Sequence, residues 1–595
     1  MRWAAHGEEA VGINGFKSMY QSDRHESKNN AFNCGRNTLD TLDCGREILE
    51  SPRPYRTDRL QPPDCIRTVF RARCLHPLPA SEGRTGSMKP RILLCFASAF
   101  VAAVLALSAS DRATARTDEI KGRVSLSDAS EACLSCHSVY TPGIVRDWQR
   151  SLHARTTVRQ ALTKPQQERR VSVAGPEDVR ALSADVAVGC AECHLLDSDA
   201  HGDTFEHQGY RVHVVVSPSD CGRCHPVEQT EYRERNKMSR AQENLAGNRF
   251  YQSLMESVLA RPKVAGSSLS ASPATPEARM ESCYGCHGTR VSVRGFKKIQ
   301  TPLEPILVPD LAGWPNTAVG RVNPDGTSGS CSSCHARHHF SVSIARRPGT
   351  CSKCHLEPDA PAWNVYTHSK HGTLASAQEG ATDFDAIPWA LGKDFHAPTC
   401  AACHASLIVD GEGARLAART HGYGDRLWVR LFGLIYSHPQ PAQPDTTAIR
   451  NRDGQPLPIT LDGEAADAFL IDVAEQERRR RDMQTLCQGC HGTQWVTLHF
   501  EKLAVTIREA DDRVRQATAL MERAWTEGRA SRENLFDEPV EILWAEQWLF
   551  HANAVRYTSA MAGSPDFAAF HGGYWALSRG LLELKEAVEG GRRIR

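Results

Sequence analysis

Eight segments of this 595-residue chain carry two cysteines and a histidine at one fixed spacing, Cys-x-x-Cys-His. Two thiols at this spacing add across the two vinyl groups of one porphyrin, and the adjacent histidine reaches the iron as an axial ligand. The pattern therefore predicts eight covalently bound c-type haems. The attachment cysteines and proximal histidines are Cys133, Cys136 and His137; Cys190, Cys193 and His194; Cys221, Cys224 and His225; Cys283, Cys286 and His287; Cys331, Cys334 and His335; Cys351, Cys354 and His355; Cys400, Cys403 and His404; and Cys487, Cys490 and His491.

The remaining cysteines argue against two other uses of these thiols. The chain holds 21 cysteines, and the five outside the motifs all precede residue 96: Cys34, Cys44, Cys65, Cys74 and Cys95. Zinc sites and disulfides would seldom place a histidine after every second cysteine and leave no thiol over. Haem attachment is therefore the preferred interpretation.

The histidine count leaves the coordination of one iron open. Of the 25 histidines, fourteen follow the predicted signal peptide and lie outside the motifs. If eight of these fourteen histidines were distal ligands, every iron would have two histidine ligands. The count is equally compatible with one iron that has no distal histidine. An iron with two strong protein ligands transfers electrons, whereas an iron with a vacant position also binds small ligands. Candidate distal ligands are His153, His213, His338, His371, His421 and His499.

The beginning of the chain predicts export. From Met88, a basic start is followed by an apolar run over 92–107 and a small-residue cleavage site at 113–115, the pattern of a secretory signal peptide over 88–115. Residues 1–87 are polar and rich in arginine, and we interpret them as a gene-model extension or a disordered segment. No later stretch has the roughly 18 apolar residues of a membrane span. The processed protein is expected in the periplasm, since c-type haem is attached outside the cytoplasm.

Composition predicts a mainly α fold with extensive irregular structure. A formal net charge of +1 gives no sign of a nucleic-acid partner. Strand signals are sparse, with 212–216 the main exception, and the Ser-, Ala- and Pro-rich segment 261–279 predicts a loop. Porphyrins must supply much of the core, because each macrocycle offers a large apolar surface. A multihaem cytochrome c domain over 116–495 is therefore expected to require its haems for folding.

The last hundred residues contain no haem motif and predict a helical domain over 496–595. One long apolar face is formed by Leu503, Ile507, Ala510, Val514, Ala517 and Met521. A second helix is predicted after Pro539, through Ile542, Trp548 and Val555, and a third over 570–587. This domain would pack on the haem domain.

The fifth and sixth motifs resemble one particular family. The sequence CSSCHARHHFSVSIARRPGTCSKCHLEPDAPAWNVYTHSKHG, residues 331–372, is similar to octahaem hydroxylamine oxidoreductases. So are 397–400 at the seventh motif, Trp495-Val496 after the eighth, and the C-terminal segment 570–572. The resemblance covers residues 125–590 and agrees with eight haems. It implies redox chemistry on a small inorganic nitrogen compound, seven electron-transfer haems and one catalytic haem.

The resemblance also implies where catalysis occurs. In that family the fourth haem is catalytic, which corresponds here to the haem on Cys283, Cys286 and His287. An aspartate and a histidine lie near the family's substrate, and Asp325 and His338 are the candidates for proton transfer. Each has an alternative role: Asp325 suits the turn over 323–326, and His338 could be a distal ligand of another haem.

One position bears on the direction of the reaction. Oxidising members of the family carry a tyrosine that crosslinks to the catalytic haem of a neighbouring subunit. Phe567 holds the matching place here, and phenylalanine has no phenolic oxygen. The alternative is that Tyr557 or Tyr574 is the true counterpart of the crosslinking tyrosine. A member without the crosslink is expected to reduce nitrite or hydroxylamine.

The sequence is also compatible with other functions. They are oxidation of hydroxylamine by the same kind of enzyme, and a non-catalytic electron conduit with two protein ligands on every iron. The resemblance implies a homotrimer, and the redox partner would be a cytochrome or a quinol-oxidising membrane protein. Nitrite reductases with a Cys-x-x-Cys-Lys motif are disfavoured because the sequence lacks that motif, and tetrathionate reduction has no positive sign.

Overall fold

The structure is a computed structural model that describes residues 124–179, 182–265, 268–301 and 304–590. The predicted extension 1–87 and signal peptide 88–115 lie outside the described residues. No helix within them is both long and apolar enough to cross a bilayer.

Helices dominate, and most are short. Many begin at Ser, Thr, Asn or Asp side chains that accept a backbone N–H of the first turn, as Ser369 does from Gly372. The α-helices in chain order are α1 Asp128–Tyr140, α2 Pro142–Arg150, α3 Val158–Leu162, α4 Ala191–His194, α5 Pro218–Cys221, α6 Pro226–Arg235, α7 Ala241–Ala246, α8 Arg249–Leu259, α9 Pro276–Glu281, α10 Cys283–His287, α11 Val342–Arg346, α12 Pro348–Cys351, α13 Ala362–Thr367, α14 Lys370–Ala377, α15 Cys400–His404, α16 Val473–Gln488, α17 Thr493–Thr526, α18 Pro539–Glu546, α19 Ala552–Ala560, α20 Pro565–Phe570 and α21 Tyr574–Glu589. A π-helical segment, Gln547–His551, joins α18 to α19.

Strands form small separate sheets. Four are antiparallel pairs, and the fifth sheet has the order β7-β8-β9 with β7 parallel to β8. The strands are β1 Phe205–His207, β2 Tyr210–Val212, β3 Arg261–Ala265, β4 Ser268–Ser272, β5 Ser292–Ile299, β6 Ile306–Ala312, β7 Trp389–Ala390, β8 Ile408–Val409, β9 Arg415–Ala417, β10 Val429–Arg430 and β11 His438–Pro439. The mainly α prediction is confirmed.

Two local predictions were wrong. The predicted strand over 212–216 ends at Val212, because the next residues turn so that Asp203 accepts the backbone N–H groups of Val214 and Val215. The predicted loop over 261–279 is instead the β3–β4 hairpin followed by α9. The short antiparallel pairing satisfies the backbone hydrogen-bonding groups of this segment. Because the segment has no alternating apolar pattern, the sequence gives no sign of these strands.

The predicted C-terminal helices are present. The apolar face of α17 is buried, with Ala510, Val514, Ala517 and Met521 each 0% exposed. Trp548 and Val555 are buried as expected, whereas Ile542 is exposed. The third helix begins at Tyr574, four residues later than predicted. These helices hold most of the largest apolar cluster, and Phe250 and residues 434–461 join them from the preceding region.

The other two apolar clusters are much smaller, with six and four buried residues. The region of the haem motifs therefore has little side-chain core of its own. This distribution agrees with a core that porphyrin surface completes.

A buried ion pair fixes α17 against α19. Arg556 and Asp511 are 0% and 6% exposed and are hydrogen-bonded, and Ser437 Oγ donates to Asp511 Oδ2 at 2.7 Å. Asp511→Asn removes the negative charge and leaves the Arg556 guanidinium buried without a counter-charge. We expect a loss of about 3–5 kcal/mol in the free energy of unfolding, measured by urea denaturation with far-ultraviolet circular dichroism.

The neighbouring residue provides the control for this substitution. Asp512 pairs with Arg515 at 2.8 Å on the surface, where their side chains are 65% and 46% exposed. Asp512→Asn should cost less than about 1 kcal/mol. Equal losses in the two variants would show that burial does not determine the strength of the Arg556–Asp511 pair.

Candidate haem array and catalytic site

Each haem motif folds so that its three reactive groups share one face. In five motifs the histidine N–H donates to the carbonyl of the first cysteine at 2.9–3.1 Å, closing a helical turn. The other three lie within α1, α10 and α15. Residues at i, i+3 and i+4 of a helix point to one side, so one porphyrin can meet both thiols and the imidazole.

The alternative uses of the thiols find no support in the described residues. All the motif cysteines there are free, without a disulfide. Of the two described side-chain groups compact enough to hold a metal ion, one contains two histidines and an aspartate and the other contains carboxylates alone, so neither contains cysteine. Since structural zinc sites normally need such a cluster, thioether bonds to haem are the remaining use.

The proximal imidazoles are oriented by backbone carbonyls. His194 Nδ1 lies 2.8 Å from the carbonyl oxygen of His213, which leaves Nε2 free for iron. Comparable carbonyl contacts, each raising the pKa of the histidine, exist for four others: His225 with Arg170, His287 with Ala241, His335 with Ser341, and His404 with Tyr423. A ring fixed in this way presents its other nitrogen to a metal.

Five proximal histidines face a second histidine at a nearly constant distance. Two metal–nitrogen bonds of about 2 Å plus two half-rings separate the ring centroids of two axial imidazoles by about 6 Å. The observed separations are 6.2 Å for His137 and His207, 6.4 Å for His225 and His153, 6.4 Å for His194 and His338, 6.5 Å for His335 and His421, and 6.0 Å for His491 and His371. These residues fit haems with two histidine ligands.

The motifs also lie next to one another. Thiols of different motifs are within hydrogen-bonding reach in four cases: Cys133 with Cys190, Cys221 with Cys331, Cys286 with Cys354, and Cys351 with Cys400. Electrostatic contacts add Cys193 with Cys224, Cys334 with Cys351, and Cys403 with Cys487. The links give a path through motifs one, two, three, five, six, seven and eight, and motif four branches from motif six.

Motif four is thus at an end of the array. The ring centroids of the five facing pairs lie at most 6.5 Å apart. Among the described residues, no second histidine ring lies this close to His287, His355 or His404. Arg430 acts on His287 as Arg426 acts on His404, but of these three histidines only His287 belongs to the motif at the end of the branch.

Arg430 and His438 are the main members of one polar group. They are directly opposite each other in the β10–β11 pair, where side chains are close neighbours. The charge of Arg430 contributes to lowering the pKa of His287, after burial. His438 is 3% exposed, and burial followed by the charge of Arg430 lowers its pKa to about 3. Its Nδ1 donates to the carbonyl of Pro439, and its buried Nε2 has no partner.

Tyr557 and Asp359 extend this polar group. Burial raises the pKa of Tyr557 to about 12, and the charges of Arg430 and Asp359 act on it in opposite directions. Asp359 also contributes to raising the pKa of Cys283. The phenol is therefore within electrostatic reach of both the Arg430 guanidinium and the Asp359 carboxylate.

Lys237 adds a second cation near Arg430. Its Nζ donates to Gln440 Oε1, one residue beyond β11. Burial, then the charge of Arg430, lowers its pKa well below the usual value. Basic and proton-bearing groups thus gather around Arg430, whose charge acts on His287 of the fourth motif, an arrangement suited to a small anion.

The two predicted catalytic residues lie elsewhere. Asp325 accepts the backbone N–H of Thr327 at 3.0 Å within the turn and lines a cavity with His201. His338 faces His194 of the second motif. Both positions match the alternative roles, a turn residue and a distal ligand.

The candidate distal ligands divide into two groups. His153, His338, His371 and His421 each face a proximal histidine. His213 has a ring 6.0 Å from His194 but stacks on His201 at 3.7 Å. His499 stacks on Trp495 at 5.2 Å.

The candidate crosslink positions also differ in their surroundings. Phe567 is buried, with its ring 4.7 Å from His571 and 5.7 Å from His368. Tyr574 donates to Glu509 at 3.2 Å near the surface. Of the three candidate positions for the crosslinking tyrosine, Tyr557 is the one on which the charge of Arg430 acts.

Sequence reasoning missed His207, Arg430 and His438. His207 and His438 belonged to the fourteen histidines outside the motifs, but neither lies in a motif that marks its role. Arg430 is more than 140 residues from Cys283, and only the short β10–β11 pairing places it opposite His438. No local signal could have identified this pair.

Comparison with known proteins agrees with this geometry. The family model "Seven times multi-haem cytochrome CxxCH" matches residues 319–415. A solved structure described as a hypothetical multiheme protein is 35% identical, with a TM-score of 0.73, over 79% of this chain and 96% of that one. A second, from a reducing HAO-like protein complex of Kuenenia stuttgartiensis, is 17% identical with a TM-score of 0.47, over 78% and 86%.

A curated relative points to the same family. The probable nitrite reductase-hydroxylamine oxidoreductase fusion protein of Kuenenia stuttgartiensis is 23% identical over 408 residues. The match covers 67% of this chain and 38% of that protein, so the chain spans under two fifths of its length. With its eight Cys-x-x-Cys-His motifs and its 35% identity to a solved multiheme protein, the chain belongs to the multihaem cytochromes c.

Proposed function

We propose that this chain is an exported oxidoreductase that reduces nitrite or hydroxylamine, with eight haems c of which the one on Cys283 and Cys286 is catalytic. The carrying observation is that motif four ends a branch of the array and is the motif beside which Arg430, His438 and Tyr557 gather. A terminal position suits a haem that receives electrons and delivers them to substrate. The named activities of the fusion relative support this substrate class.

A haem with a vacant position binds a small nitrogen ligand at iron and supplies electrons to it. The protein side chains have three other tasks. Arg430 attracts an anion such as nitrite. Tyr557 donates a hydrogen bond to a substrate oxygen. His438 presents a free Nε2 that accepts a hydrogen bond or a proton.

Proton supply must accompany reduction, because the N–O bond breaks, nitrogen gains electrons, and oxygen leaves as water. His438 is neutral in the resting site, since its pKa is lowered to about 3. A bound anion next to it favours its protonated form. Substrate arrival would therefore load His438 with the proton that the leaving oxygen needs.

Reduction is favoured over oxidation by the residue at position 567. Phe567 cannot form the phenolic crosslink found in oxidising relatives, and its ring packs against His368 and His571. The export signal from Met88 and the c-type haems support a periplasmic location. A homotrimer and a cytochrome or quinol-oxidising membrane protein as electron donor complete the proposal.

The experiment uses the purified holoprotein. Intact mass should show eight haem additions, and reduced methyl viologen should be oxidised when nitrite or hydroxylamine is added. Electron paramagnetic resonance should show a high-spin iron that changes on adding hydroxylamine. Low-spin signals alone, unaltered by hydroxylamine, would favour the electron conduit, and hydroxylamine oxidation faster than reduction would reverse the proposed direction.

A further inference from the structure

A cavity of about 120 Å³ lies where α6, α16 and the residues after β11 meet, and Lys237 is part of its wall. This volume is large enough for several water molecules. Reduction at the fourth motif consumes protons, and the residue proposed to deliver them, His438, is 3% exposed. Its proton must therefore come through a neighbouring group that contacts water.

Lys237 connects the cavity to the strand pair that contains His438. Its Nζ donates to Oε1 of Gln440, and Nε2 of Gln440 donates to the carbonyl of Val429 at 3.0 Å. Val429 lies in β10 and Gln440 directly follows β11, so the amine is at the end of the pair in which Arg430 opposes His438. The charge of Lys237 contributes to lowering the pKa of His438. The two groups are therefore within electrostatic reach of each other.

The backbone that carries Lys237 is also tied to the fourth motif. The side chain of Asn236 caps the 3₁₀-helix Lys237–Arg240, and its amide donates to the carbonyl of His421 at 2.8 Å. This helix leads directly into α7, and the carbonyl of Ala241, the first residue of α7, orients His287. One short segment thus positions both the amine and the proximal histidine of the fourth motif.

The amine of Lys237 differs from the two arginines of the cavity wall because it has no carboxylate partner in the described part of the chain. Arg235 pairs with Asp425 at 2.7 Å, and Arg479 pairs with Glu475 at 2.6 Å. Burial and then the charges of Arg430 and Arg479 disfavour the ammonium form of Lys237 and lower its pKa. A lysine in such surroundings releases its proton far more readily than a surface lysine does.

The carboxylates of the cavity wall are poorer proton carriers. Hydrogen bonds from Arg478 and then Arg479 outweigh burial and lower the pKa of Glu475 to about 2, so Glu475 stays ionised near neutral pH. Asp425 and Glu234 are each held in an ion pair with an arginine. Lys237 is therefore the group of the wall best suited to exchange protons with the cavity.

We propose that Lys237 delivers the protons of the reduction from the water of this cavity to His438, a role that rests on the proposed function. One N–H bond of the Lys237 ammonium breaks, and the free Nε2 of His438 accepts the proton. His438 then donates this proton to the leaving oxygen, and Nζ regains a proton from cavity water. No electron moves in this step. An ammonium has three donors, so the hydrogen bond to Gln440 holds Nζ in place during the exchange.

The first test of this role needs no turnover. The holoprotein is labelled briefly with acetic anhydride, which reacts with unprotonated amines, between about pH 6 and about pH 11, and acetylation of each lysine is measured by peptide mass spectrometry. Lys237 should reach half-maximal labelling at a pH at least about 2 below that of Lys297, whose side chain is 59% exposed. Equal profiles, or no labelling of Lys237 from the cavity, would overturn the proposal.

The second test measures reduction of nitrite and hydroxylamine by methyl viologen. Lys237→Met keeps the apolar stem and removes the amine, and it should lower kcat for both substrates at least roughly ten-fold, with KM and haem content unchanged. Lys237→Arg keeps a donor for Gln440, but a guanidinium does not release its proton, so this variant should be as slow as Lys237→Met. Lys297→Met, on the surface of β5, is the control and should keep the wild-type kcat.

The variants distinguish proton delivery from a structural role. A wild-type kcat in Lys237→Met would overturn the proposal. Recovery of kcat in Lys237→Arg would also overturn it, because Lys237 would then act only by holding Gln440. A wild-type protein that reduces neither substrate would refute the proposed function instead, and this result is distinguishable because the labelling profile of Lys237 does not depend on turnover.

Discussion

Arg430→Ala is expected to lower kcat/KM for nitrite by about 10²- to 10³-fold while haem content stays unchanged. This is the usual cost of removing one preorganised group that stabilises developing charge in a water-poor site. Arg430 is the cation whose charge reaches His287, His438 and Tyr557. The measurement is steady-state reduction of nitrite by methyl viologen.

The choice of substrate separates attraction from catalysis. Nitrite is an anion and hydroxylamine is largely neutral near pH 7, so loss of Arg430 should raise KM for nitrite more than KM for hydroxylamine. His438→Gln should instead lower kcat for both substrates, by about 10²- to 10⁴-fold, because both reductions need a proton at oxygen. Glutamine retains hydrogen bonding and volume but cannot carry the proton.

Arg415→Ala provides the control for charge alone. Arg415 is an exposed arginine in β9 and belongs to another sheet. Its loss should leave both KM values unchanged within about two-fold, the effect expected of an exposed charge that touches no reacting group. Equal effects of Arg415→Ala and Arg430→Ala would remove Arg430 from the catalytic site.

The haem sites could be predicted from sequence because their geometry is local. A helical turn places Cys133, Cys136 and His137 on one side whatever surrounds them. The apolar face of α17 is local in the same sense, and Leu503 and Met521 are buried as the 3.6-residue period requires. Both patterns repeat within a few residues, so no tertiary information is needed to recognise them.

The polar side of the fourth site depends on contacts distant in sequence. Arg430, whose charge acts on His287, is brought opposite His438 by a strand pair of two residues each, which has no periodicity to detect. The resemblance to a family predicted that motif four is catalytic, which stays a prediction, and it proposed Asp325 and His338, which the fold places in a turn and beside the second motif. Tertiary placement, not residue type, decided between the alternatives.

His338→Ala decides between the two roles considered for that residue. As a distal ligand, its loss should convert one haem per chain from low spin to high spin, with new binding of cyanide or carbon monoxide at that iron. As a catalytic residue, its loss should abolish turnover and leave the spin state unchanged. Electron paramagnetic resonance and the optical spectrum of the ferrous protein with carbon monoxide measure the difference.

The geometry favours the ligand role over the competing ligand His213. The two rings lie 6.4 Å and 6.0 Å from His194, so distance alone does not choose between them. Orientation does, because His194 Nδ1 contacts the carbonyl of His213. The backbone of His213 therefore lies at Nδ1, and its ring stacks on His201. We therefore expect Nε2, the nitrogen free for iron, to face His338.

The haems that are low-spin in the wild type should therefore all remain low-spin in His213→Ala. The same result is expected for His499→Ala. His499 is a suitable second control, because it stacks on Trp495 and, among the described residues, no ring contact joins it to a proximal histidine. If His213→Ala rather than His338→Ala generates the high-spin iron, His213 is the ligand of the second haem. His338 would then be free for a role in proton transfer.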